Sequence, residues 1–294
     1  MELLMKVSQT RIVTVLAILV VLTALVVLTP GCSLVNRVRA KNQLNEAARA
    51  YHDGHFEEAE QYSRRALEMD PNSKTAPLFI ARTIHAQYKP GVQAPENLAK
   101  ANEAIQAYQM VLERDPKSDE AYKAIAYLYG ATKDEDKLRS WISARANDGN
   151  APPEKRAEAY IVLGSKDWDC SFKITELPSN QTHSTSAGNH VTINYKKPAN
   201  EKDFDTAQQC MKRGLEEVEN AIKLDPNNES AWSYKTNLLI EASRLAEMDG
   251  KPDQKAQLDK QREEAQKRTT ELSQINQKKK EEEEAKKAAS PPKT

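Results

Sequence analysis

The sequence predicts an all-α array of helix hairpins, interrupted by one small β-hairpin and closed by a long charged helix. The first observation is a repeated stop: "EMDPNS" (68–73), "ERDPKS" (113–118) and "KLDPNN" (223–228) each follow a helical-looking run. Proline lacks the amide a helix needs and clashes with the preceding turn, so each Asp-Pro ends a helix. The second is composition. Of the 294 residues, 39% are apolar, 29% charged and 6% aromatic, with 9 Gly, and the chain is rich in Ala, Glu, Lys and Leu rather than in β-branched runs. The third is charge. Lys+Arg and Asp+Glu are both 43, and no basic stripe interleaved with aromatics is present, so nucleic acid is not an expected partner.

The elements follow in order. Lys6 and Arg11 precede Ile12–Leu28, "IVTVLAILVVLTALVVL", an apolar or Thr-bearing run of 17 residues. No water-soluble helix would expose it, so it belongs in a membrane, at least transiently. "LTPGCS" (28–33) comes next and resembles the lipobox of bacterial lipoproteins. That resemblance implies acylation of Cys32 as the mature N-terminus, although Leu28 stands four residues before the Cys and Pro30 lies inside the box. A retained signal anchor is the alternative, because the run is just long enough to span. Residues 1–31 are thus expected to be signal peptide or anchor and 32–39 a tether, with basic residues on both sides of the run leaving orientation open.

In "LNEAARAYHDGHFEEAEQYSRRALEMDP", Leu44, Ala47, Ala50 and Tyr51 mark one helical face and Ala59, Tyr62, Ala66 and Leu67 another, with Gly54 between them. The pattern is a helix hairpin: Gly54 turns the chain and Pro71 ends the second helix. Small Ala47, Ala59 and Ala66 allow close approach, while Tyr51, Phe56 and Tyr62 fill wider gaps. This segment resembles a tetratricopeptide repeat, the unit of about 34 residues whose stacking makes an α-solenoid. The resemblance implies a tetratricopeptide-repeat solenoid over 40–277, of about five helix pairs.

The second pair, "KTAPLFIARTIHAQY" and "NLAKANEAIQAYQMVLERDP", has Ala81 and Ile84, then Ala104, Tyr108 and Val111, in the expected places. "KPGVQAPE" (89–96) lies between them, and Pro71 to Pro116 spans 45 residues (116 − 71). The third pair matches at Tyr122, Ala126 and Tyr129, but its second helix, with Leu138, Trp141 and Ile142, is degenerate and lacks the Ala-x-x-Asp-Pro ending. The fourth, "EKRAEAYIVLGSKDW" and "FDTAQQCMKRGLEEVENAIKLDP", is split. "SFKITEL" (171–177) and "HVTINYK" (190–196) alternate apolar and polar residues, which predicts an antiparallel hairpin within an insert at about 170–200. A lone hairpin is marginal, so it should pack on the helices. The fifth pair ends its first helix near Gly250 and continues as a polar capping helix to about Gln277. Residues 278–294 form a charged low-complexity tail.

With Cys32 lipidated, Cys170 and Cys210 remain as a pair bracketing the insert. A disulfide is the reading taken; two buried thiols, or a metal site drawing on His183 and His190, are the alternatives. The turn "YHDGHF" holds His52, Asp53 and His55, yet lacks a third ligand nearby in sequence. No Gly-rich phosphate loop, Gly-x-Ser-x-Gly elbow or convincing nucleophile and base pair is present, so no enzymatic activity and no cofactor are expected. "NQT" (180–182) and "NES" (228–230) match glycosylation sequons by pattern only.

In tetratricopeptide-repeat proteins the first helix of each pair lines a concave groove. Carried over pair by pair, the resemblance implies a lining of Tyr51 and His52, Arg82 and His85, Lys123 and Tyr127, Trp168 and Asp169, Asn237 and Glu241. Such a mixture of aromatic and charged side chains can anchor a protein or peptide. The resulting expectation is a membrane-anchored scaffold of the bacterial envelope, mostly facing the periplasm and taking part in assembly.

Overall fold

The computed structural model describes residues 34–186 and 190–288. The expected signal or anchor segment and Cys32 lie outside the described residues. Helix α1 covers 34–52, so most of the expected 32–39 tether is already helical. It is followed by α2 (Phe56–Met69), α3 (Ala76–Gln87), α4 (Pro95–Arg114) and α5 (Asp119–Ala131), then α6 (Glu135–Asn147) and α7 (Pro153–Thr175). Strands β1 (Gln181–Ser186) and β2 (His190–Tyr195) precede α8 (Glu201–Leu224), α9 (Glu229–Met248) and α10 (Pro252–Ala288). Among the described residues no helix is long and apolar enough to cross a membrane. The chain divides into two compact units, 1–135 and 136–294.

In the first unit α1 turns into α2 at Gly54, whose φ of 80° is a conformation that favours glycine. Ala47, Ala59 and Ala66 are fully buried between the helices, as their small size and spacing predict. Ala40, Ala66 and Ala76 form a core cluster backed by Leu44, Leu67 and Met69. The longer connection between α3 and α4 is held by one side chain. Asn97 accepts from the Lys89 amide and donates to the carbonyls of Lys89 and Val92, each at 2.8 Å.

The recurring Asp-Pro stop has one geometry. Asp70, Asp115 and Asp225 cap their helices with ψ of 85°, 85° and 88°, and each donates its amide to the carbonyl four residues back. The residue three positions later reaches the next helix: the side chains of Ser73, Ser118 and Asn228 accept from the amides of Ala76, Ala121 and Ala231 at 3.2, 3.4 and 3.2 Å, Ser118 and Asn228 as the N-caps of α5 and α9 and Ser73 from two residues before Thr75, the N-cap of α3. One tetrapeptide therefore stops one helix and satisfies an early amide of its successor. The fold is an all-α array of helix hairpins of the tetratricopeptide kind.

In the second unit α7 packs on α8 and α9 on α10. Gly164 and Gly214 permit the close approach: a Cβ at Gly164 would stand 2.6 Å from Val218 Cγ1, and one at Gly214 would stand 2.6 Å from Leu238 Cδ2. Three helices meet at Asp167 of α7, which is 2% exposed. Its carboxylate accepts two hydrogen bonds from Arg139 of α6, at 3.1 and 2.9 Å, and one from Arg213 of α8 at 2.9 Å. Cys170 and Cys210 form a disulfide that ties α7 to α8, with Cα atoms 6.0 Å apart.

The insert differs from expectation at its first strand. Residues 171–175 continue α7, and β1 begins at Gln181, between the two segments expected to be strands. The period of two in "SFKITEL" is outweighed by a distant partner. Along the helix, Ser171 and Thr175 share a face, and both donate to the buried carboxylate of Glu241 on α9, at 3.4 and 2.6 Å. The second strand lies where predicted and pairs antiparallel with β1, Gln181 opposite Tyr195 and Ser186 opposite His190.

The hairpin docks on the helices. Tyr195 donates its hydroxyl to Glu176 at 3.0 Å and its amide to Glu247 at 3.3 Å, while the Arg244 guanidinium lies 4.6 Å from the Tyr195 ring centre. Arg244 also pairs with Glu176 and Glu241 at 2.7 and 2.6 Å. Asn180 of the "NQT" sequon is 3% exposed and donates to the Ile174 carbonyl at 2.8 Å, so it is spent on the hairpin's base. Helix α10 runs beyond Gln277 to Ala288, burying Ala265 and Leu272.

Candidate partner-binding site

In the first unit the exposed side of α3 and α5 gathers a mixed polar and aromatic cluster. Each turn of α3 brings one member: Arg82 and, three residues on, His85, which share a helical face. Arg82 is bonded through two nitrogens to both carboxylate oxygens of Glu120 on α5. The pairing raises the Arg82 pKa and lowers that of Glu120, so both groups are charged at neutral pH. The pair therefore contributes two opposite charges and no net charge.

His85 lies between two tyrosines. Its Nδ1 is 3.3 Å from the Tyr108 hydroxyl, the two rings meeting edge-on, and the Tyr127 ring is tilted against it at 5.5 Å. Burial lowers the His85 pKa, which favours the neutral imidazole. Burial also raises the Tyr108 and Tyr88 pKa values, keeping both phenols protonated. Tyr51 of α1 packs edge-on against Phe56 at 5.3 Å and tilted against Phe79 at 5.9 Å. A cavity of about 280 Å³ opens here, lined by Tyr51, Arg82, His85, Ala86, Tyr88, Pro90 and Tyr108. Tyr88 is 4% exposed and its hydroxyl has no hydrogen-bond partner.

The structure thus brings Tyr51, Arg82, His85 and Tyr127 into one neighbourhood. His52 is exposed at the end of α1 beside Asp53, 3.3 Å away, and Lys123 pairs with Asp119 of its own helix at 2.8 Å. In the second unit Trp168 stacks on Phe172 at 4.9 Å and approaches Tyr234 at 6.3 Å. Asp169 pairs with Lys173 at 2.6 Å, and Asn237 is half-buried. Glu241 is a correction to the expected lining. It is 1% exposed and accepts from Thr175, Ser171 and Arg244, so its carboxylate is consumed inside the unit.

Sequence reasoning missed Glu120, Tyr108 and Tyr88. Glu120 stands 38 residues after Arg82 on the next first helix, and the opposite charge at equivalent faces is a signal that was there to read. Tyr108 was assigned to packing alone, yet its hydroxyl reaches His85. Of the metal alternative, Cys170 and Cys210 are bonded to each other. Among the described residues no group of three His, Cys, Asp or Glu could hold a metal ion, and the His190 side chain lies outside them.

A model of the protein prenyltransferase alpha subunit repeat matches residues 211–241, which join the later part of α8 to the earlier part of α9. No curated protein matches the sequence. Among solved structures, MamA (residues 41 to the end) from Desulfovibrio magneticus RS-1 is 16% identical with a TM-score of 0.40, over 81% of this chain and 96% of that one. PilF of Pseudomonas aeruginosa is 14% identical with a TM-score of 0.35, over 83% and 99%. A tetratricopeptide repeat protein from Parabacteroides merdae is 12% identical with a TM-score of 0.33, over 80% and 97%. These likenesses are distant. The class of the protein, an array of tetratricopeptide-type hairpins, rests on its own helix pairs and their shared Asp-Pro junctions.

Proposed function

We propose that the chain is a membrane-tethered, extracytoplasmic scaffold of a bacterial envelope that holds a protein or peptide partner against α3 and α5. The observation that carries this reading is the cluster of Tyr51, Arg82 and His85 lining the cavity, with Tyr127 packed against His85. Rigid aromatic rings supply contact area at low entropic cost, and a charge pair at the edge supplies orientation. Arg82 is neutralised by Glu120, so the cavity favours an apolar or aromatic side chain as anchor over a bare carboxylate. The tether is supported by the Ile12–Leu28 run and the lipobox-like "LTPGCS"; the oxidised Cys170–Cys210 pair is in keeping with an extracytoplasmic compartment.

The test is a quantitative crosslinking pull-down from native membranes with the wild-type chain and with Tyr51→Ala/His85→Ala. Loss of two anchors should deplete a true partner by about tenfold or more. Equal recovery with both chains would contradict the assignment. An intact mass beginning at an acylated Cys32 is expected in the same preparation; a full-length mass would instead identify the retained anchor.

A further inference from the structure

The start of α1 carries an apolar face that nothing among the described residues of the first unit covers. Leu34, Val35 and Val38 are 62%, 49% and 62% exposed. At about 100° per residue the three occupy one arc of roughly 100°. Ala40, Leu44 and Ala47, which face the rest of the unit, fall on the opposite side. Arg37 and Lys41 border one edge of the arc and Arg39 the other, all three exposed. Exposed Asn42 and Asn45 continue the line of the arc, so the apolar stripe ends after little more than one turn.

We infer that residues 34–41 form an interfacial element that lies against the lipid surface, with Leu34, Val35 and Val38 entering the headgroup boundary. The inference rests on the tether reading above. Leu34 follows Leu28, the end of the apolar run, by six residues, a reach of at most about 20 Å; it follows Cys32 by two, at most about 7 Å. On either form of the tether the stripe is held at the bilayer surface, where an apolar face bordered by long basic side chains partitions favourably. The arginines and the lysine then reach outward to lipid phosphates, and an anionic leaflet strengthens the contact. The face that packs on the unit stays free for its own helices, so membrane contact requires no rearrangement.

The test uses the full chain reconstituted in phosphatidylcholine vesicles containing phosphatidylglycerol and a lipid with a photoactivatable diazirine near the headgroup. Adducts mapped by mass spectrometry are expected within 34–41 at about tenfold or more over those around the exposed Met110 of α4. They should disappear in Val35→Glu/Val38→Glu, which leaves the buried face intact and should leave the helical circular-dichroism signal and its thermal unfolding unchanged. Vesicle-bound protein without adducts in 34–41, or adducts that persist in the double variant, overturns the inference while the tether stands. Protein that does not float with vesicles at all overturns both.

Discussion

Replacing both Cys170 and Cys210 with alanine is expected to lower the stability of the second unit by about 4 kcal/mol in the chain-entropy account. The bond closes a loop with a sequence separation of 40. That loop holds the end of α7, the β-hairpin and the start of α8, and its ends must meet for the Gly164–Val218 contact to form. Without the link, the unfolded chain regains the freedom of that whole segment, and folding must remove it again. Alanine is the better replacement because Cys210 is 3% exposed and a serine hydroxyl would be buried there. Urea unfolding followed by tryptophan fluorescence reads this unit selectively, since Trp141, Trp168 and Trp232 all lie within 136–294. Reduction of the wild-type chain should produce a similar loss. An unchanged midpoint in both experiments would mean that the link contributes nothing beyond the helix packing.

Asp167→Ala is expected to cost the same unit about 3 kcal/mol, the lower end for breaking a buried ion pair. The carboxylate is 2% exposed and receives three hydrogen bonds from two guanidiniums, so its loss unties α6 and α8 from α7 together. The cost stays at the lower end because Arg139 and Arg213 keep 36% and 48% side-chain exposure and can turn to water. Asp167→Asn, which retains an acceptor but no charge, should fall between the alanine variant and the wild type. A loss under about 0.5 kcal/mol for Asp167→Ala, in the range of an exposed pair, would refute the three-helix tie.

What the sequence made legible was local. The Asp-Pro stops are read from a few adjacent residues, and Ser73, Ser118 and Asn228, which accept from early amides of the next helix, belong to the same short stretch. Gly54 marks its turn because the positive φ it adopts disfavours other residues. Ala47, Ala59 and Ala66 announce a close helix pair by size and spacing. The misreadings come from partners far along the chain. Ser171 and Thr175 become helical positions because Glu241 lies 70 and 66 residues away, and no window of period-two residues contains that fact. The same separation hid the role of Glu241 itself, whose position along α9 resembles an outward groove residue.

The candidate site divides similarly. Tyr51, Arg82, His85 and Tyr127 are found by carrying a repeat position from one first helix to the next. Tyr108 sits on a second helix, outside that rule, and enters the site only because its hydroxyl meets His85 across 23 residues of chain. Arg82 read alone looks like a free cation for a partner's carboxylate. With Glu120 beside it, the chemistry of the face changes from anion capture to an apolar anchor bordered by a fixed charge pair.

The most direct test of the partner-binding face is to place a photocrosslinking amino acid at Tyr127 in the full chain, in its native membrane, and to compare it with the same probe at Met110. The account predicts one discrete, saturable protein adduct at 127, much weaker at 110, and lost when Arg82→Ala is added. No adduct at 127, or equal adducts at the two positions, would contradict it.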